Sequence, residues 1–209
     1  MKIKRVSSVL LQPMPWVLVK VETDAGITGI GEAYHGAGVH QIAVDERVTR
    51  TLLGQNPLDV DRRFRDMMRG MSASGYYQGA VMSAISGIEM ALWDIKGKAL
   101  GVPVYELLGG PTRSRVRVYA HASTPEAIRA RSKEGFTAFK TGVFKHRPAR
   151  IIETPGFVKR VAKRFEELRE AAGDERDIGI DFHGAISPQT AKLLIKALEP
   201  YQPMFIEEP

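Results

Sequence analysis

The sequence predicts a chain in two parts, an α+β N-terminal domain followed by a parallel α/β region. Three observations carry this reading. The first third holds three β-rich runs with a turn at Asp24-Ala25-Gly26. A long stretch of helical periodicity follows. After Gly109-Gly110-Pro111, strand-like and helix-like runs alternate to the last residue. The boundary falls near residues 109–115, which gives domains of 1–112 and 113–209.

Residues 2–11 and 16–23 read as strands, and a third strand ends near Glu32. Residues 40–53 read as a helix with Ile42, Val44, Val48 and Leu52 on one face. "NPLDVDRRFRDMM" opens with Asn56 as an N-cap and Pro57 at the first helical position. The clearest helical period runs through Val81, Ala84, Ile85, Ile88, Ala91, Leu92, Ile95 and Ala99. Gly101 marks its stop, and Pro103 starts a short helical turn. Trp93 and the methionines fit this core pattern. Beyond the boundary, "VRVYAHA", "TAFKTGV", "IGIDFHG" and "MFIEEP" read as strands. The helices between them are "TPEAIRARSKEG" with Thr124 as its cap, 155–172 and 187–199. By pattern alone this region fits either an open doubly wound sheet or half of a (β/α)8 barrel. Both place function at the carboxyl ends of the strands.

Composition narrows the function classes. The 209 residues contain no cysteine, which excludes disulfides, zinc thiolate sites and cysteine nucleophiles. No apolar stretch reaches membrane-spanning length. The basic start "MKIKRVSSVLLQPMPW" lacks a long apolar segment and a small-residue cleavage site, so it reads as a strand rather than a signal peptide. A cytoplasmic location is the resulting expectation. The net charge is +6 and the pI about 9.6. Lys and Arg are mixed with Asp and Glu along helices and form no basic block with aromatics, which argues against a nucleic-acid partner. No G-x-G-x-x-G follows a strand, and no Walker A sequence occurs.

Asp181 and Glu207 each sit at the end of a short apolar run, with one helical stretch between them. In a parallel βαβ unit their carboxylates converge on one sheet edge. Converging carboxylates on rigid strands suit a hard divalent cation such as Mg²⁺. Otherwise Asp181 is a helix cap or a surface acid. Glu207 and Glu208 are adjacent and so face opposite ways on a strand. His183, two residues past Asp181, falls on the same side, and Lys140 ends its own strand. The bland alternatives are a satisfied strand-end histidine and a snorkelling lysine. His35 and His40, five apart, lack the further soft ligands of a transition-metal site.

These runs resemble the enolase superfamily, specifically its mandelate racemase-like sugar-acid dehydratases. "TDAGITGIGEA" and "ALWDIKGKALGVPVYELLGG" resemble the capping domain of that family. "GFTAFK", "GIDFHG" and "LIKALEPYQPMFIEEP" resemble barrel strands two, three and four. The resemblance covers essentially the whole chain. It implies an α+β capping domain followed by the first half of a TIM-type (β/α)7β barrel. It implies Mg²⁺ as cofactor, with Asp181 and Glu207 as metal ligands and Glu208 in a supporting role.

The implied reaction is dehydration of a galactonate-like aldonate to a 2-keto-3-deoxy acid, by α-proton abstraction through an enediolate. His183 would be the acid that protonates the departing hydroxyl, because hydroxide leaves poorly without a proton. Lys140 would steady the substrate carboxylate. Many relatives carry Lys-x-Lys here, but this chain has Lys140-Thr141-Gly142. The missing second lysine argues against a racemase or cycloisomerase. Tyr34 and His35 fall in the segment resembling the capping loop over the substrate, and His121 ends strand one. All three are candidate substrate contacts.

The third metal ligand and the histidine base are expected beyond Pro209. The 209-residue chain by itself is therefore expected to be inactive and, with open sheet edges, prone to associate. The alternative reading is a truncated, inactive fragment of such an enzyme. A small-molecule sugar acid and, in the longer form, further copies of the chain are the expected partners.

Overall fold

Three antiparallel strands open the chain in a computed structural model that describes residues 1–13, 16–34, 37–43, 45–72, 79–143 and 155–209. They are β1 (Ile3–Leu10), β2 (Val17–Thr23) and β3 (Thr28–Ala33), in the order β1-β2-β3. Period-two alternation sets the faces: Val17, Val19 and Val21 are fully buried, while Lys20 between them is exposed. The expected turn joins β2 to β3. Thr23 Oγ1 accepts the Ile27 N–H at 3.1 Å and donates to the Ile27 carbonyl at 2.8 Å. Gly26 at φ +79° supplies the left-handed residue.

Among the described residues the helices that follow are α1 (Ala37–Ala43), α2 (Glu46–Thr49), α3 (Val60–Ser72), α4 (Ala80–Leu100) and α5 (Val104–Leu107). The single helix expected over 40–53 is two short ones. Asp45 breaks it, because its carboxylate accepts the Arg47 N–H at 2.8 Å and starts α2 afresh. The expected Asn56 cap is also corrected. Asn56 Oδ1 accepts the Leu58 N–H at 3.1 Å in a local turn, and α3 begins only at Val60. Gly101 does end α4, at φ 70°. Ala99 carries the helical period but is exposed; the buried stripe of α4 runs instead through Gly87 and Gly97. These glycines have a packing role. Gly31 of β3 lies directly under the Gly87 carbonyl, and Gly29 under that of Ala91. Helix α4 therefore rests on the backbone of β3, and together they form the centre of a core that includes Ile85, Ile88, Leu92 and Ile95.

The chain divides into two units, Met1–Ser114 and Arg115–Pro209. The second contains β4 (Ala120–His121), α6 (Pro125–Lys133), β5 (Ala138–Gly142), α7 (Pro155–Ala172), β6 (Asp177–Asp181), α8 (Pro188–Leu198) and β7 (Ile206–Glu207). The Thr124 cap is present, with Oγ1 accepting the Ala127 N–H at 3.0 Å. Its four strands are parallel and lie in sequence order, β4-β5-β6-β7. That order separates the two alternatives left by the pattern. A doubly wound sheet reverses direction at a switch point, whereas a barrel adds each strand beside the last. The unit is an arc of a (β/α) barrel.

The two outer strands are shorter than the sequence suggests. Only two residues of "VRVYAHA" enter the ladder. Before them, Arg117 donates to the Thr137 hydroxyl and carbonyl and to Asp177 through its side chain. Within "MFIEEP" only Ile206–Glu207 pairs, because Glu208 turns to φ 45°. Phe139, Phe165, Ile178, Ile180 and Leu194 pack between sheet and helices. Each such side chain contributes about 1.5–3 kcal/mol on burial. Alternation then sends Gly179 and Asp181 to the opposite face of β6.

Candidate functional site

The site lies on that opposite face, at the carboxyl ends of β5, β6 and β7. Asp181 is the last residue of β6 and pairs in register with Glu207 of β7. Lys140 of β5 pairs with Gly179, two residues before Asp181, and its long side chain runs up the face. The Lys140 ammonium lies 2.9 Å from Asp181 Oδ2 and 2.6 Å from Glu207 Oε2. Lys140 and Asp181 are buried, while the Glu207 side chain is 41% exposed. The two carboxylates singled out in the sequence thus converge on a single cationic atom.

Burial and hydrogen bonding act against each other here. Burial pushes the Lys140 ammonium toward its neutral form, but hydrogen bonds to Glu207 and Asp181 outweigh it and hold the pKa above the usual lysine range. Burial likewise pushes the Asp181 carboxyl up. Hydrogen bonds from Lys140 and His183 outweigh it and leave the pKa below the usual range. Both groups are therefore charged at neutral pH, and Lys140 is not a base in this arrangement.

His183 does reach Asp181, by a turn rather than by the pleat of a strand. Strand β6 has ended, and His183 adopts φ 56°. Its N–H donates to Asp181 Oδ1 at 2.7 Å, and its ring Nδ1 lies 3.3 Å from Oδ2. An ionised carboxylate only accepts, so Nδ1 carries the proton in this contact. The His183 side chain is 60% exposed. Ligand atoms of Asp181, His183 and Glu208 also lie within 4.8 Å of one another. Glu208 reaches this group because it has left the strand, so the strand-based opposition of Glu207 and Glu208 does not apply to it.

The other candidates are placed as follows. His121 of β4 pairs with Lys140, which puts it on the same face, exposed. Tyr34 belongs to the first unit; it is exposed, and its N–H donates to Ser83 Oγ at 2.6 Å. His35 lies outside the described residues. His40 is bound to Ser8, with Nδ1 2.9 Å from Oγ, while the hydroxyl donates to the His40 carbonyl at 3.0 Å.

Sequence reasoning missed the aromatic floor of the site. The Phe205 ring lies flat against Gly179, where a Cβ would sit well inside contact distance. Tyr119 tilts against Phe205, with centroids 5.8 Å apart, and its ring centroid lies 6.0 Å from the Lys140 ammonium. Gly179 inside an apolar strand was the available signal, since a strand glycine marks a close approach.

Comparison with known proteins places these features in context. Residues 4–109 match the model for the N-terminal domain of mandelate racemase / muconate lactonizing enzyme, and residues 123–209 match that of the enolase C-terminal domain-like family. A D-galactonate dehydratase of Ralstonia pickettii (strain 12J) is 43% identical over 218 residues, covering 100% of this chain and 55% of the relative. A D-xylonate dehydratase of Haloferax volcanii is 40% identical, covering 93% of this chain and 50% of the relative. An enolase from Agrobacterium radiobacter, solved with sodium and L-malate bound, superposes with a TM-score of 0.84 at 35% identity. It covers 100% of this chain and 55% of its own. The chain spans about half the length of the curated relatives it matches.

Proposed function

The chain belongs to the mandelate racemase / muconate lactonizing enzyme family, and from that premise we propose that it supplies the capping domain and first barrel strands of a sugar-acid dehydratase. The observation that carries the proposal is the convergence of Asp181 and Glu207 on one cationic atom at adjacent strand ends. The donor set fits a hard divalent cation. Both groups are carboxylates, both sit on strands, and the Lys140 ammonium already stands in for a cation between them. In this reading Asp181 and Glu207 hold Mg²⁺. When bound, the ion supplies the positive charge that an enediolate requires.

The chain's own residues divide the remaining work. His183 keeps its Nδ1–H toward Asp181; as the imidazolium it carries a second proton on the other ring nitrogen, and that proton is the one assigned to the departing β-hydroxyl, leaving the neutral Nδ1–H imidazole. Lys140 is assigned to steady the substrate carboxylate, and His121 lines the same face. Tyr34 and His35 of the capping segment are assigned to substrate contacts. The base that removes the α-proton is not assigned to any residue of this chain. Gly142, where a second lysine would serve a racemase, favours dehydration.

The substrate class is a small aldonate, in line with the names of the D-galactonate and D-xylonate dehydratases. Neither a nucleic-acid nor a membrane partner belongs to the proposal. Among the described residues no helix is long and apolar enough to cross a membrane. A cytoplasmic, self-associating enzyme completes the reading.

The test supplies D-galactonate or D-xylonate and Mg²⁺ to the protein that carries this chain, and follows the 2-keto-3-deoxy acid by NMR. One of the two is expected to turn over, and His183→Asn to lower the rate by about 100-fold or more. Failure to dehydrate either aldonate refutes the proposal. An undiminished His183→Asn rate refutes the acid assignment.

A further inference from the structure

Lys140 is buried at 7% exposure, and its ammonium touches the same two carboxylates that are proposed to hold the divalent cation. An ammonium and a divalent ion at the same oxygens repel each other and compete for the same lone pairs. We propose that Lys140 is the resident counter-cation of the metal site. It holds Asp181 and Glu207 together while no metal is bound, and its ammonium leaves them when a divalent cation enters. This rests on the reading of Asp181 and Glu207 as the cation's ligands.

Three features make the exchange feasible. Lys140 is attached at the level of Gly179, two residues before Asp181, so its ammonium is carried to the carboxylates by a flexible four-carbon stem. It can retract without moving β5. The Tyr119 ring centroid, 6.0 Å from the ammonium, offers a second favourable place for it as it withdraws. The Glu207 side chain is 41% exposed, which gives an incoming ion an open carboxylate to reach first.

The consequence is that the protein binds divalent cations more weakly than its two carboxylates alone would, and in return keeps the metal-free site assembled. The test is calorimetric titration of the full chain with Mg²⁺, together with thermal melts with and without Mg²⁺, for the parent, Lys140→Met, Lys140→Arg and Asp181→Asn. Lys140→Met is expected to bind Mg²⁺ roughly tenfold or more tightly than the parent, the scale on which a nearby unit charge shifts a carboxylate equilibrium. Without metal it is expected to melt below the parent, and Mg²⁺ is expected to raise its Tm by more. Lys140→Arg, which keeps the cation, is expected to bind within a few-fold of the parent. If Lys140→Met folds only with Mg²⁺ present, competition with a chelator reads the same affinity. Unchanged or weaker Mg²⁺ binding by Lys140→Met overturns the counter-cation role. If Asp181→Asn nevertheless loses Mg²⁺ binding in that case, the metal-ligand reading stands and only this inference fails. Parent-like Mg²⁺ binding by Asp181→Asn removes both.

Discussion

Asp45 and Arg47 make a local pair in which one carboxylate does two things. Asp45 accepts the Arg47 N–H at 2.8 Å, which caps α2, and it takes Arg47 Nε at 3.0 Å and Nη2 at 2.8 Å. The Arg47 side chain first, then its backbone N–H, hold the Asp45 carboxyl down at about 2. A folded-state pKa below the unfolded one stabilises above the unfolded value, and that contribution is lost as pH falls through the folded value. Asp45→Ala is therefore expected to cost about 1 kcal/mol at neutral pH. The gap from the parent is expected to narrow from about pH 4 downward and to close near pH 2. Urea titrations at a series of pH values check this; a gap that stays constant down to pH 2 contradicts the capping role. Gly179 is the second residue-scale case. A methyl there would drive into the Phe205 ring, so Gly179→Ala is expected to destabilise by about 1–3 kcal/mol and to change the near-ultraviolet dichroism of Phe205 and Tyr119. At this scale the convergence of Asp181, Glu207 and Lys140 on one face was readable in the sequence from the β pattern, while His183, read there as a same-side strand neighbour, reaches Asp181 by a turn instead. The left-handed backbone of His183 and Glu208 was not readable, since nothing local forces φ to 56° and 45° at these residues. The grouping of Glu208 with Asp181 and His183 depends on that turn.

Elements in this chain are positioned by close backbone approach as much as by apolar stripes. The β3–α4 contact shows it. Gly31 and Gly29 lie against the Gly87 and Ala91 carbonyls, and a Cβ on Gly87 would in turn come within 3.0–3.2 Å of Ala33 and Val19, closer than ordinary van der Waals contact. A Cβ on Gly31 has backbone in its way rather than a side chain that can rotate aside, so relief requires α4 to lift off the sheet. Gly31→Ala is expected to lower the stability of the first unit by about 3 kcal/mol, at the upper end of ordinary overpacking. Chemical denaturation followed by far-ultraviolet dichroism measures it, and a loss below about 0.5 kcal/mol would show that α4 can move freely. The helical period of α4 was legible from Val81 to Ile95, and so was its stop at Gly101. The role of Gly87 was not, because a period count scores glycine as no side chain at all. Helix starts failed where a polar side chain had two uses: Asp45 interrupts an apolar period, and Asn56 closes a turn before α3 instead of capping it. The short β4 and β7 ladders escaped for a different reason. Apolar alternation reports burial, not which residues hydrogen-bond to a neighbouring strand.

Among the described residues each unit has its own hydrophobic core. Charge does not organise them. Several Lys and Arg residues pair along single helices, as in Arg129–Glu126, Arg131–Glu134, Lys163–Glu166 and Arg164–Glu167. Exposed pairs of this kind contribute little each. Stability is therefore carried by the apolar interiors, and the change from meander and helices to alternating strand and helix, visible in the sequence after Gly109-Gly110-Pro111, marks where one interior gives way to the next. This leads to a paired prediction. Leu92 is fully buried in the first core, and Phe165 is 1% exposed in the second. Truncating either to Ala removes a large buried side chain and leaves a cavity, at about 2–5 kcal/mol for leucine and 3–5 kcal/mol for phenylalanine. Hydrogen exchange read by mass spectrometry distinguishes where that loss is felt. Leu92→Ala is expected to accelerate exchange in β1, β2, β3 and α4 while leaving β5 and β6 as protected as in the parent. Phe165→Ala is expected to do the reverse, loosening β5, β6 and α7 first. The geometry of the proposed cation site at Asp181 should therefore survive Leu92→Ala and degrade in Phe165→Ala, with the proposed Mg²⁺ binding following the same split. Acceleration spread evenly over both units by either substitution would show that the two cores unfold as one cooperative body.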